Sequence, residues 1–370
     1  MSAQRKRVVF LVPSLTGGGA ERVIVTLLRH LDRQRFEPHL ALVKATGPYL
    51  KDVPADVPIH DMKLSRVRYT LPAILRLTWK LRPHAVLSTI GHLNLALILA
   101  TSFVPRRVRL LIRENTIPSA RLPTDTGNPK LWEWLYRRFY RKADQIVCQS
   151  DFMLNDLAQQ FGIPREKMVR IYNPVDVIRI RELADARENP YVGAGPHLVA
   201  AGRLSREKGF DVLIDAMKLV HEALPSARLT LLGEGPLETI LKMQRDHMDL
   251  SDVVSFAGFQ TNPWPYFKHA DLFVLPSRCE GLPNAALEAL ALGTPVVAAD
   301  CPGGVREILQ YFPQMVSVCT LDHRSLANEI LSAYEFNQGA RRETDEALQE
   351  LDAKFGVAVA TAAFEELLST

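Results

Sequence analysis

Cysteine is scarce in this 370-residue sequence, and its four thiols form neither a Cys-x-x-Cys pair nor the spacing of a zinc site. Buried, reduced cysteines are therefore expected, which fits a reducing cytoplasm best. No apolar run approaches the ~20 residues that would span a bilayer. The short run after Arg7 leads directly into glycines, so it predicts a first strand and not a secretory signal. We expect a cytoplasmic protein whose membrane contact, at the inner face of the plasma membrane, is peripheral.

Three motifs that would define other functions are also missing. There is no Asp-x-Asp pair, which holds a divalent metal in many transferases, so we expect no metal. There is no Gly-x-Gly-x-x-Gly turn, which excludes an NAD-dependent oxidoreductase and leaves no resident cofactor to expect. There is no helix-turn-helix, zinc finger or exposed aromatic sheet motif, so we expect no nucleic-acid partner.

Charge is divided unevenly along the chain. The whole sequence carries +4, but residues 1–185 hold 30 Lys and Arg against 16 Asp and Glu, a balance of +14. The remaining residues hold 15 against 25, a balance of −10. Such a split favours different partners for the two halves, with an anionic partner for the first. Drift in surface composition is the alternative interpretation.

Short apolar runs alternate with longer helical patterns along the whole chain, which is typical of parallel α/β sheets. The length suggests two domains, at about 150 residues each. Six strands are predicted in each half, as two doubly wound sheets would have. The predicted strands are Val8–Val12, His39–Val43, Ala85–Thr89, Val108–Ile112, Gln145–Cys148, Val169–Ile171, His197–Ala201, Arg228–Leu232, Val253–Phe256, Leu272–Leu275, Pro295–Ala298 and Val316–Val318.

A stretch with two prolines and two glycines, residues 187–196, predicts the seam between the halves. We therefore expect an N-terminal Rossmann-like domain of residues 1–187 and a C-terminal one of residues 188–350. Residues 351–370 have helical periodicity and could pack on either half, including by crossing back to the first.

The densest motif runs from residue 277 to residue 290, where a strand ends and a helix begins. Pro283 suits the first helical position, and the N–H groups of the first turn form an anion site together with the helix dipole. Glu280 lies just before the helix and Glu288 one to two turns into it, so the carboxylates suit different hydroxyls of one extended ligand. The alternative is a capped helix with two solvated glutamates.

Two further strand-to-helix turns carry polar residues or glycines. Residues 199–210 place Arg203 and Lys208 beside glycines at the end of a strand, where the two cations would neutralise a diphosphate. Residues 14–22 contain three glycines that let the main chain approach a phosphate or a sugar closely. The alternatives are two exposed basic residues on a loop and a tight turn without a ligand.

Together these motifs resemble those of glycosyltransferase family 4, whose members are retaining enzymes of the GT-B fold. The resemblance is carried by residues 17–22, 202–209 and 232–236 and by Glu280 with Glu288, in this order and spacing. It covers nearly the whole chain. It implies an α/β protein of two Rossmann-like, doubly wound domains that face a central cleft. The C-terminal domain would hold the nucleotide sugar and the N-terminal domain the acceptor.

The resemblance also implies roles for individual residues. Arg203 and Lys208 would bind the donor diphosphate and stabilise the leaving group, and Glu280 would contact the transferred sugar, so these three are the catalytic candidates. Glu288 would hold the ribose hydroxyls. The remaining donor contacts would come from Glu234 with Gly235 and Phe259 with Gln260 around the base, from the main chain of Leu282, Pro283, Asn284 and Ala285, and from Gly18 with Gly19 over the diphosphate.

Several residues are candidates for the contact between the N-terminal domain and the transferred sugar. Family members often place a histidine after the fourth N-terminal strand, near the transferred sugar. Here the sequence reads Arg-Glu-Asn-Thr, so Glu114 or Asn115 would take the role of that histidine. His92 is a further candidate, although a packed histidine is the alternative there, and Glu21 is a candidate beside the first glycine turn.

The predicted function is retaining, metal-independent transfer of a hexosyl or N-acetylhexosaminyl group. The donor would be a UDP-sugar or GDP-mannose, and the acceptor a glycan or a polyprenyl-diphosphate-linked sugar in bacterial-type polysaccharide biosynthesis. Breaking the anomeric bond leaves negative charge on the diphosphate, which Arg203 and Lys208 would stabilise. The rival interpretations are another GT-B enzyme, such as a nucleotide-sugar epimerase or a phosphorylase, and a non-enzymatic protein that binds anions or nucleic acid.

Two segments rich in basic and aromatic residues, 66–82 and 130–142, are candidates for contact with an anionic membrane. Basic amphipathic helices lie on anionic bilayers. Trp132, Trp134 and Tyr136 would add interfacial anchoring if they face outward. The alternative is that both segments are ordinary core helices with solvated outer faces.

Overall fold

The computed structural model of the chain describes residues 5–100, 103, 108–125, 127–193, 195–337 and 345–370. The side chains of Arg68, Asp125, Asn337 and Asp345 lie outside this description, as does Ala194 of the predicted seam. The chain forms two compact units, which we call unit 1 (Met1–Pro174 with Val357–Thr370) and unit 2 (Val175–Gly356).

Unit 1 is built on a seven-stranded parallel sheet. Its strands are β1 (Lys6–Val12), β2 (Phe36–Leu42), β3 (Ile59–Asp61), β4 (Ala85–Thr89), β5 (Arg109–Arg113), β6 (Gln145–Cys148) and β7 (Met168–Arg170). The helices that connect them are α1 (Gly19–His30), α2 (Thr70–Leu81), α3 (Gly91–Ala100), α4 (Pro118–Asp125), α5 (Pro129–Phe139) and α6 (Asp151–Phe161). The strand order is β3-β2-β1-β4-β5-β6-β7, so β1 and β4 are neighbours and the winding direction reverses between them.

Unit 2 has a six-stranded parallel sheet with the same reversal, in the order β10-β9-β8-β11-β12-β13. The strands are β8 (His197–Ala201), β9 (Arg228–Leu232), β10 (Val254–Gly258), β11 (Leu272–Leu275), β12 (Val296–Ala299) and β13 (Val316–Cys319). The helices are α7 (Val177–Asp185), α8 (Phe210–Ala223), α9 (Glu238–His247), α10 (Trp264–His269), α11 (Asn284–Leu290), α12 (Val305–Tyr311), α13 (His323–Asn337) and α14 (Asp345–Phe355). The last helix of the chain, α15 (Val357–Ser369), belongs to unit 1.

Helix α8 shows how the sequence produces the core of unit 2. Its buried residues Phe210, Leu213, Ile214 and Met217 recur three and four positions apart, so one face of the helix is apolar. That face joins the fully buried side chains of the central strands in one cluster, which includes Val274. Each such side chain contributes about 1.5–3 kcal/mol by leaving water, so the cluster fixes the helix on the sheet.

All the predicted strands are present, with ends shifted by at most a few residues, but one strand was missed. The missed strand β3 has only three residues, Ile59 to Asp61, and its first and last side chains are exposed. A short edge strand of this kind has no apolar pattern from which it could be predicted. The expected count of six strands is therefore wrong for the first half.

The unit boundary also lies earlier than the predicted seam at residues 187–188. Helix α7 belongs to unit 2, where the Asn262 amide donates to the Leu183 carbonyl at 2.8 Å. At the start of the unit, the Val175 N–H donates to the Phe355 carbonyl at 2.8 Å. The proline- and glycine-rich stretch thus connects helix α7 to strand β8 inside unit 2. A connection within a domain and a linker between domains have the same residue composition here.

Helix α15 packs on α1 in unit 1. The carboxylate of Glu365 accepts the Asp32 backbone N–H at 2.7 Å and pairs with the Arg35 guanidinium at 2.8 Å. Both contacts join the end of the chain to its beginning. The four cysteines are free thiols, and Cys148 and Cys301 are buried while the other two are partly exposed.

Candidate functional site

The residues predicted to bind the donor lie at the carboxyl edge of the unit 2 sheet. Arg203 and Lys208 follow β8, and Glu280 follows β11, the two strands between which the winding reverses. In open α/β sheets this reversal is where ligands bind, because the loops that leave the two strands diverge there. The sheet order therefore explains why motifs far apart in the sequence converge.

Lys208 and Glu280 form an ion pair in the structure. The Lys208 Nζ lies 2.6 Å from Glu280 Oε1, and the Ser277 hydroxyl donates to the same oxygen at 2.6 Å. Glu280 is only 8 % exposed, so its carboxylate is held by these donors instead of by water. The Lys208 side chain runs over Gly202, where a Cβ would come within 3.3 Å of it. Two residues that were predicted separately, for the diphosphate and for the sugar, are thus in contact, and glycine at 202 leaves room for the lysine.

Close backbone contacts keep these loops in place. Gly209 has a φ of +66°, and a Cβ there would lie 1.8 Å from the Pro276 carbonyl oxygen. Between the same loops, Arg278 donates to both carboxylate oxygens of Asp211, at 2.8 and 2.6 Å. Burial opposes ionisation of Asp211, but the hydrogen bonds and charge of Arg278 outweigh it and lower the pKa of that carboxyl. This ion pair could not be predicted from the sequence, because its partners lie 67 positions apart.

Glu288 is buried as well, at 7 % exposure, on helix α11. The indole Nε1 of Trp264 donates to its Oε2 at 2.9 Å. The alternative of two solvated glutamates is therefore wrong for both Glu280 and Glu288. No sequence feature pointed to Trp264, which begins helix α10 four positions after Gln260. Pro283 is the N-cap of α11 and not its first helical residue, since the helix begins at Asn284.

The other predicted donor contacts follow neighbouring strands of the same edge. Arg203 is exposed, and its side chain has no hydrogen-bond or ionic partner in the part of the chain that the structure describes. Glu234 follows β9, and its carbonyl accepts the Leu204 N–H at 3.0 Å. Gly235 lies so close to this loop that a Cβ would be 2.4 Å from the Leu204 oxygen. The remaining predicted donor contacts are Phe259 and Gln260, which follow β10 and are half-buried. Leu282, before α11, is buried, and Asn284 and Ala285, in the first turn of α11, are half-buried.

In unit 1, the first glycine turn begins helix α1. Gly18 is the N-cap and Gly19 the first helical residue. The Glu21 carboxylate folds back over this turn, since a Cβ at Gly18 would lie 2.2 Å from Glu21 Oε2. A carboxylate at a helix N-terminus is favourable because of the helix dipole. Glu21 therefore occupies the position that an anionic ligand of this turn would take.

The segment after β5 lies in a buried polar network. Glu114 is 2 % exposed, and its Oε1 accepts hydrogen bonds from the Tyr140 hydroxyl and from the Asn94 amide, the latter at 3.0 Å. Burial raises the pKa of Glu114 to about 7, although those hydrogen bonds and the charge of Arg113 oppose the shift. Burial also lowers the pKa of Arg113 to about 10. The carboxyl of Glu114 thus accepts hydrogen bonds from buried residues of unit 1.

The third candidate, His92, lies at the start of α3 and is exposed. Its ring packs edge-on against Trp132, with the ring centroids 4.2 Å apart. This packing supports the alternative interpretation for His92. Among the described residues, no group of three or more His, Cys, Asp and Glu side chains is placed to hold a metal ion.

The two basic, aromatic segments form helices α2 and α5, which both pack on α3. Trp79 and Trp134 are more than half exposed, at 56 % and 54 %. Tyr136 does not meet the condition for interfacial anchoring, because it is buried and stacks on Tyr140. Trp132 is partly buried against His92. None of the helices in the described residues is both long enough and apolar enough to cross a bilayer.

Comparison with known proteins identifies the class. Residues 17–179 match the family described as Glycosyltransferase Family 4, and residues 195–335 match Glycosyl transferases group 1. The chain is 31 % identical over 309 residues to the Campylobacter jejuni N-acetylgalactosamine-N,N'-diacetylbacillosaminyl-diphospho-undecaprenol 4-alpha-N-acetylgalactosaminyltransferase, covering 80 % of this chain and 81 % of that protein. The chain therefore belongs to glycosyltransferase family 4 and is a glycosyltransferase.

Solved structures agree on the fold. Anabaena HepE in complex with UDP and glucose superposes with a TM-score of 0.82 at 21 % identity, covering 99 % of this chain and all of that one. A glycosyltransferase from Rickettsia africae gives a TM-score of 0.78 at 16 % identity, covering 99 % and 98 %. The predicted GT-B fold and the predicted family are confirmed.

The buried carboxyl of Glu114 gives a prediction about stability and pH. Its pKa is raised, so the folded chain holds the proton more tightly than the unfolded chain, and stability falls as the pH rises from about 4.5 to about 7. Glu114→Gln keeps an acceptor for Tyr140 and Asn94 but cannot ionise. We expect its free energy of unfolding, relative to wild type, to rise over this interval by an amount on the order of 3 kcal/mol and then to level off.

Urea unfolding between pH 4.5 and 8.5 measures this difference. The matched control is Glu133→Gln, because Glu133 is an exposed carboxyl on α5 that pairs with Arg137 at 2.8 Å. The control should show no such rise. A Glu114→Gln curve that runs parallel to wild type would contradict a raised pKa.

Proposed function

We propose that this glycosyltransferase transfers a hexosyl or N-acetylhexosaminyl group, with retention and without a metal, from a UDP-sugar to a polyprenyl-diphosphate-linked or glycan acceptor. The observation that carries the proposal is that two carboxylates after β11 are buried and held by donors, Glu280 by Lys208 and Glu288 by Trp264. Carboxylates that are fixed by donors on one side accept sugar hydroxyls on the other. The C. jejuni relative is named for an acceptor on diphospho-undecaprenol, and HepE was solved with UDP, which supports this choice of acceptor and base.

In the proposed reaction, the bond between the anomeric carbon and the diphosphate oxygen breaks, and both electrons leave with UDP. Arg203 and Lys208 stabilise the charge that develops on the diphosphate. Arg203 is exposed, so it can turn to a phosphate freely. Lys208 can donate to a phosphate while it keeps its ion pair with Glu280, because an ammonium group has three donors. A charge-assisted hydrogen bond contributes about 1.5–3 kcal/mol, or about one to two decades of rate when it forms fully in the transition state.

In this proposal Glu280 orients the transferred sugar. Its Oε1 takes donors from Lys208 and Ser277, so the carboxylate cannot rotate freely. Attack from the same face as the departing diphosphate would give retention without a covalent enzyme intermediate, with the leaving phosphate taking the acceptor proton. In that route Glu280 acts as a hydrogen-bond acceptor and not as a nucleophile.

The first prediction of this proposal is transfer in the presence of EDTA. Purified protein, a polyprenyl-diphosphate-linked sugar and a panel of UDP-sugars and GDP-mannose should give a product with the donor's anomeric configuration, because two cations do the work of a metal. Product configuration is read by NMR, and EDTA should lower the rate less than about twofold. Loss of activity on chelation that magnesium or manganese restores would overturn metal independence, and an inverted product would overturn retention.

The second prediction separates the two glutamates. Glu288→Gln should weaken UDP binding about tenfold or more, because a ribose hydroxyl loses a charged acceptor. Glu280→Gln should leave UDP affinity nearly unchanged while turnover falls about a hundredfold, because its role is at the sugar and the substitution releases Lys208 for the diphosphate. Calorimetry with UDP measures the first effect, and initial rates at saturating donor measure the second.

A matched control for both variants is Glu222→Gln, because this exposed residue on α8 forms only a surface pair with Lys218 at 3.9 Å. It should change neither quantity. Equal losses of UDP affinity in the Glu280 and Glu288 variants would contradict the separate roles.

We further propose that unit 1 docks on an anionic membrane through a surface that we call the docking face. It consists of the exposed aromatic or apolar side chains on and beside α2, α3 and α5, with the exposed basic residues of α2 and α5. The Trp79 indole donates to the Phe103 carbonyl at 3.0 Å, which joins the end of α2 to the segment after α3. The members are Trp79, Leu99, Phe103, Leu131, Trp134, Arg76, Lys80, Lys130, Arg137 and Arg138. Aromatic side chains beside basic residues are typical of interfacial binding.

The third prediction concerns this face. Lys80→Glu with Arg138→Glu should weaken binding to anionic vesicles about tenfold or more, since each basic residue near the surface contributes about 1 kcal/mol. Trp79→Ala with Trp134→Ala should weaken vesicle binding further. This loss should persist at high salt, where electrostatic attraction is screened but the contact of the indoles with the bilayer is not. Co-sedimentation with phosphatidylglycerol and phosphatidylcholine vesicles over a salt series measures both.

The charge-matched control is Lys44→Glu with Lys51→Glu, because both residues are exposed in unit 1 but lie outside the three helices. Binding of the wild type to neutral and anionic vesicles alike, or equal losses in the control and the test variants, would overturn the docking face.

A further inference from the structure

Arg278, in the loop after β11, holds the turn that carries Lys208. Its backbone N–H donates to the Glu207 carbonyl at 2.8 Å, and its guanidinium donates to the Arg206 carbonyl at 2.7 Å. The same guanidinium donates to both carboxylate oxygens of Asp211, at 2.8 and 2.6 Å. Two of these partners come before Lys208 in the chain and one comes after it. One residue therefore fixes the turn on both sides of the lysine.

The contact between Arg278 and Asp211 differs from an ordinary surface ion pair. Single exposed pairs contribute little, but two parallel hydrogen bonds between a guanidinium and a carboxylate fix orientation as well as distance. Both side chains are partly buried. Asp211 is itself held from helix α9, since the Gln244 amide donates to its carbonyl at 2.9 Å and to Asp215 Oδ1 at 2.6 Å. Arg278 therefore ties the turn to a point that is fixed independently of it.

Lys208 depends on the position of its main chain, because its side chain is a flexible stem with three donors at the end. One donor is engaged by Glu280 Oε1 at 2.6 Å, and in the proposed function another meets the diphosphate. The ammonium can reach both acceptors together only if its backbone lies at the right distance from Glu280. Glu280 is two positions after Arg278 in the same loop. The residue that fixes the lysine turn thus also belongs to the loop that carries the glutamate.

We propose that Arg278, anchored on Asp211, is a positioning residue for transfer, which places Lys208 so that its ammonium reaches the donor diphosphate while it keeps Glu280. The inference rests on the proposed function and goes beyond it, because that proposal gives Arg278 and Asp211 no part in binding or turnover. Since Arg278 acts through Lys208, its effect on binding must depend on the phosphates of the ligand. A role confined to the stability of the fold would not depend on them.

Affinities for UDP and for uridine, which has no phosphate, test this dependence. Arg278→Gln should weaken UDP binding about tenfold and uridine binding less than about twofold. Turnover at saturating donor should also fall about tenfold, because a displaced lysine stabilises the leaving diphosphate less. Asp211→Asn should give the same selective loss, and Arg278→Lys, which keeps the charge but not the two-pronged donation, should lie between wild type and Arg278→Gln. Calorimetry measures UDP directly and uridine by competition with UDP.

A double-mutant cycle tests whether Arg278 acts through the lysine. In a Lys208→Met background, Arg278→Gln should weaken UDP binding by less than about a further twofold, because the group that it positions is gone. The matched control is Arg245→Gln, because the Arg245 guanidinium also donates to a carboxylate, Asp246 at 2.8 Å, and to a carbonyl, Val254 at 3.3 Å, but lies on α9. It should leave the ratio of UDP to uridine affinity unchanged. The midpoint of urea unfolding of each variant measures the purely structural effect.

Equal losses of UDP and uridine affinity in Arg278→Gln, no loss of either, or additive losses in the cycle would overturn the role of Arg278. A wild type that binds UDP no more tightly than uridine would instead overturn the diphosphate contact, and the proposed function with it. That result is read from the wild type alone, so the two failures are distinguishable in the same assay.

Discussion

The ion pair between Lys208 and Glu280 is the contact on which the site in unit 2 depends. It joins the loop after β8 to the loop after β11, the two strands between which the sheet reverses direction. A carboxylate that is 8 % exposed is tolerated only with partners, and Glu280 has two donors on one oxygen. The glycines at 202 and 209 allow the approach, since a side chain at either position would meet Lys208 or the Pro276 carbonyl. Removing one partner therefore disturbs the geometry of both loops.

In the proposed function, the same pair lets the site concentrate positive charge without a metal. A lysine that has a carboxylate partner costs little before the donor binds, because its charge is balanced. In the proposed reaction Lys208 then donates to the diphosphate as well as to Glu280. Arg203 needs no such balance, since it is exposed to water. The two cations thus solve the same electrostatic problem in two different ways.

The fold was largely predictable because each element carries its own pattern. Strands such as Ala85–Thr89 and Leu272–Leu275 are buried throughout, and continuous apolar runs between turns indicate central parallel strands. The seam was misplaced because residues 187–196 have the composition of any polar connection, whether it lies between domains or inside one. The strand β3 was missed because it has no buried apolar side chains from which a strand could be predicted. Predictability ended where an element contributed little apolar surface.

In the candidate site, the polar residues of the turns could be predicted from the sequence, but their hydrogen-bond partners could not. Arg203, Lys208, Glu280 and Glu288 could be predicted, because each lies in a segment where a strand, a turn with glycine and a helix follow each other in the sequence. Their partners could not be predicted in that way. Trp264 lies 24 positions from Glu288, and Lys208 lies 72 positions from Glu280, so only the sheet order brings them together.

These distant partners share one chemical property, which is a single hydrogen-bond polarity. Lysine, tryptophan and arginine donate and do not accept. Lys208 and Trp264 each donate to one oxygen of a buried carboxylate, that of Glu280 and that of Glu288. In the proposed function these carboxylates accept hydrogen bonds from hydroxyl groups. One-way donors leave the group in front of them a single orientation, so its polarity towards a ligand is set before the ligand arrives. The hydroxyl of Ser277 could also accept, but it donates here, because the Glu280 carboxylate that it contacts only accepts.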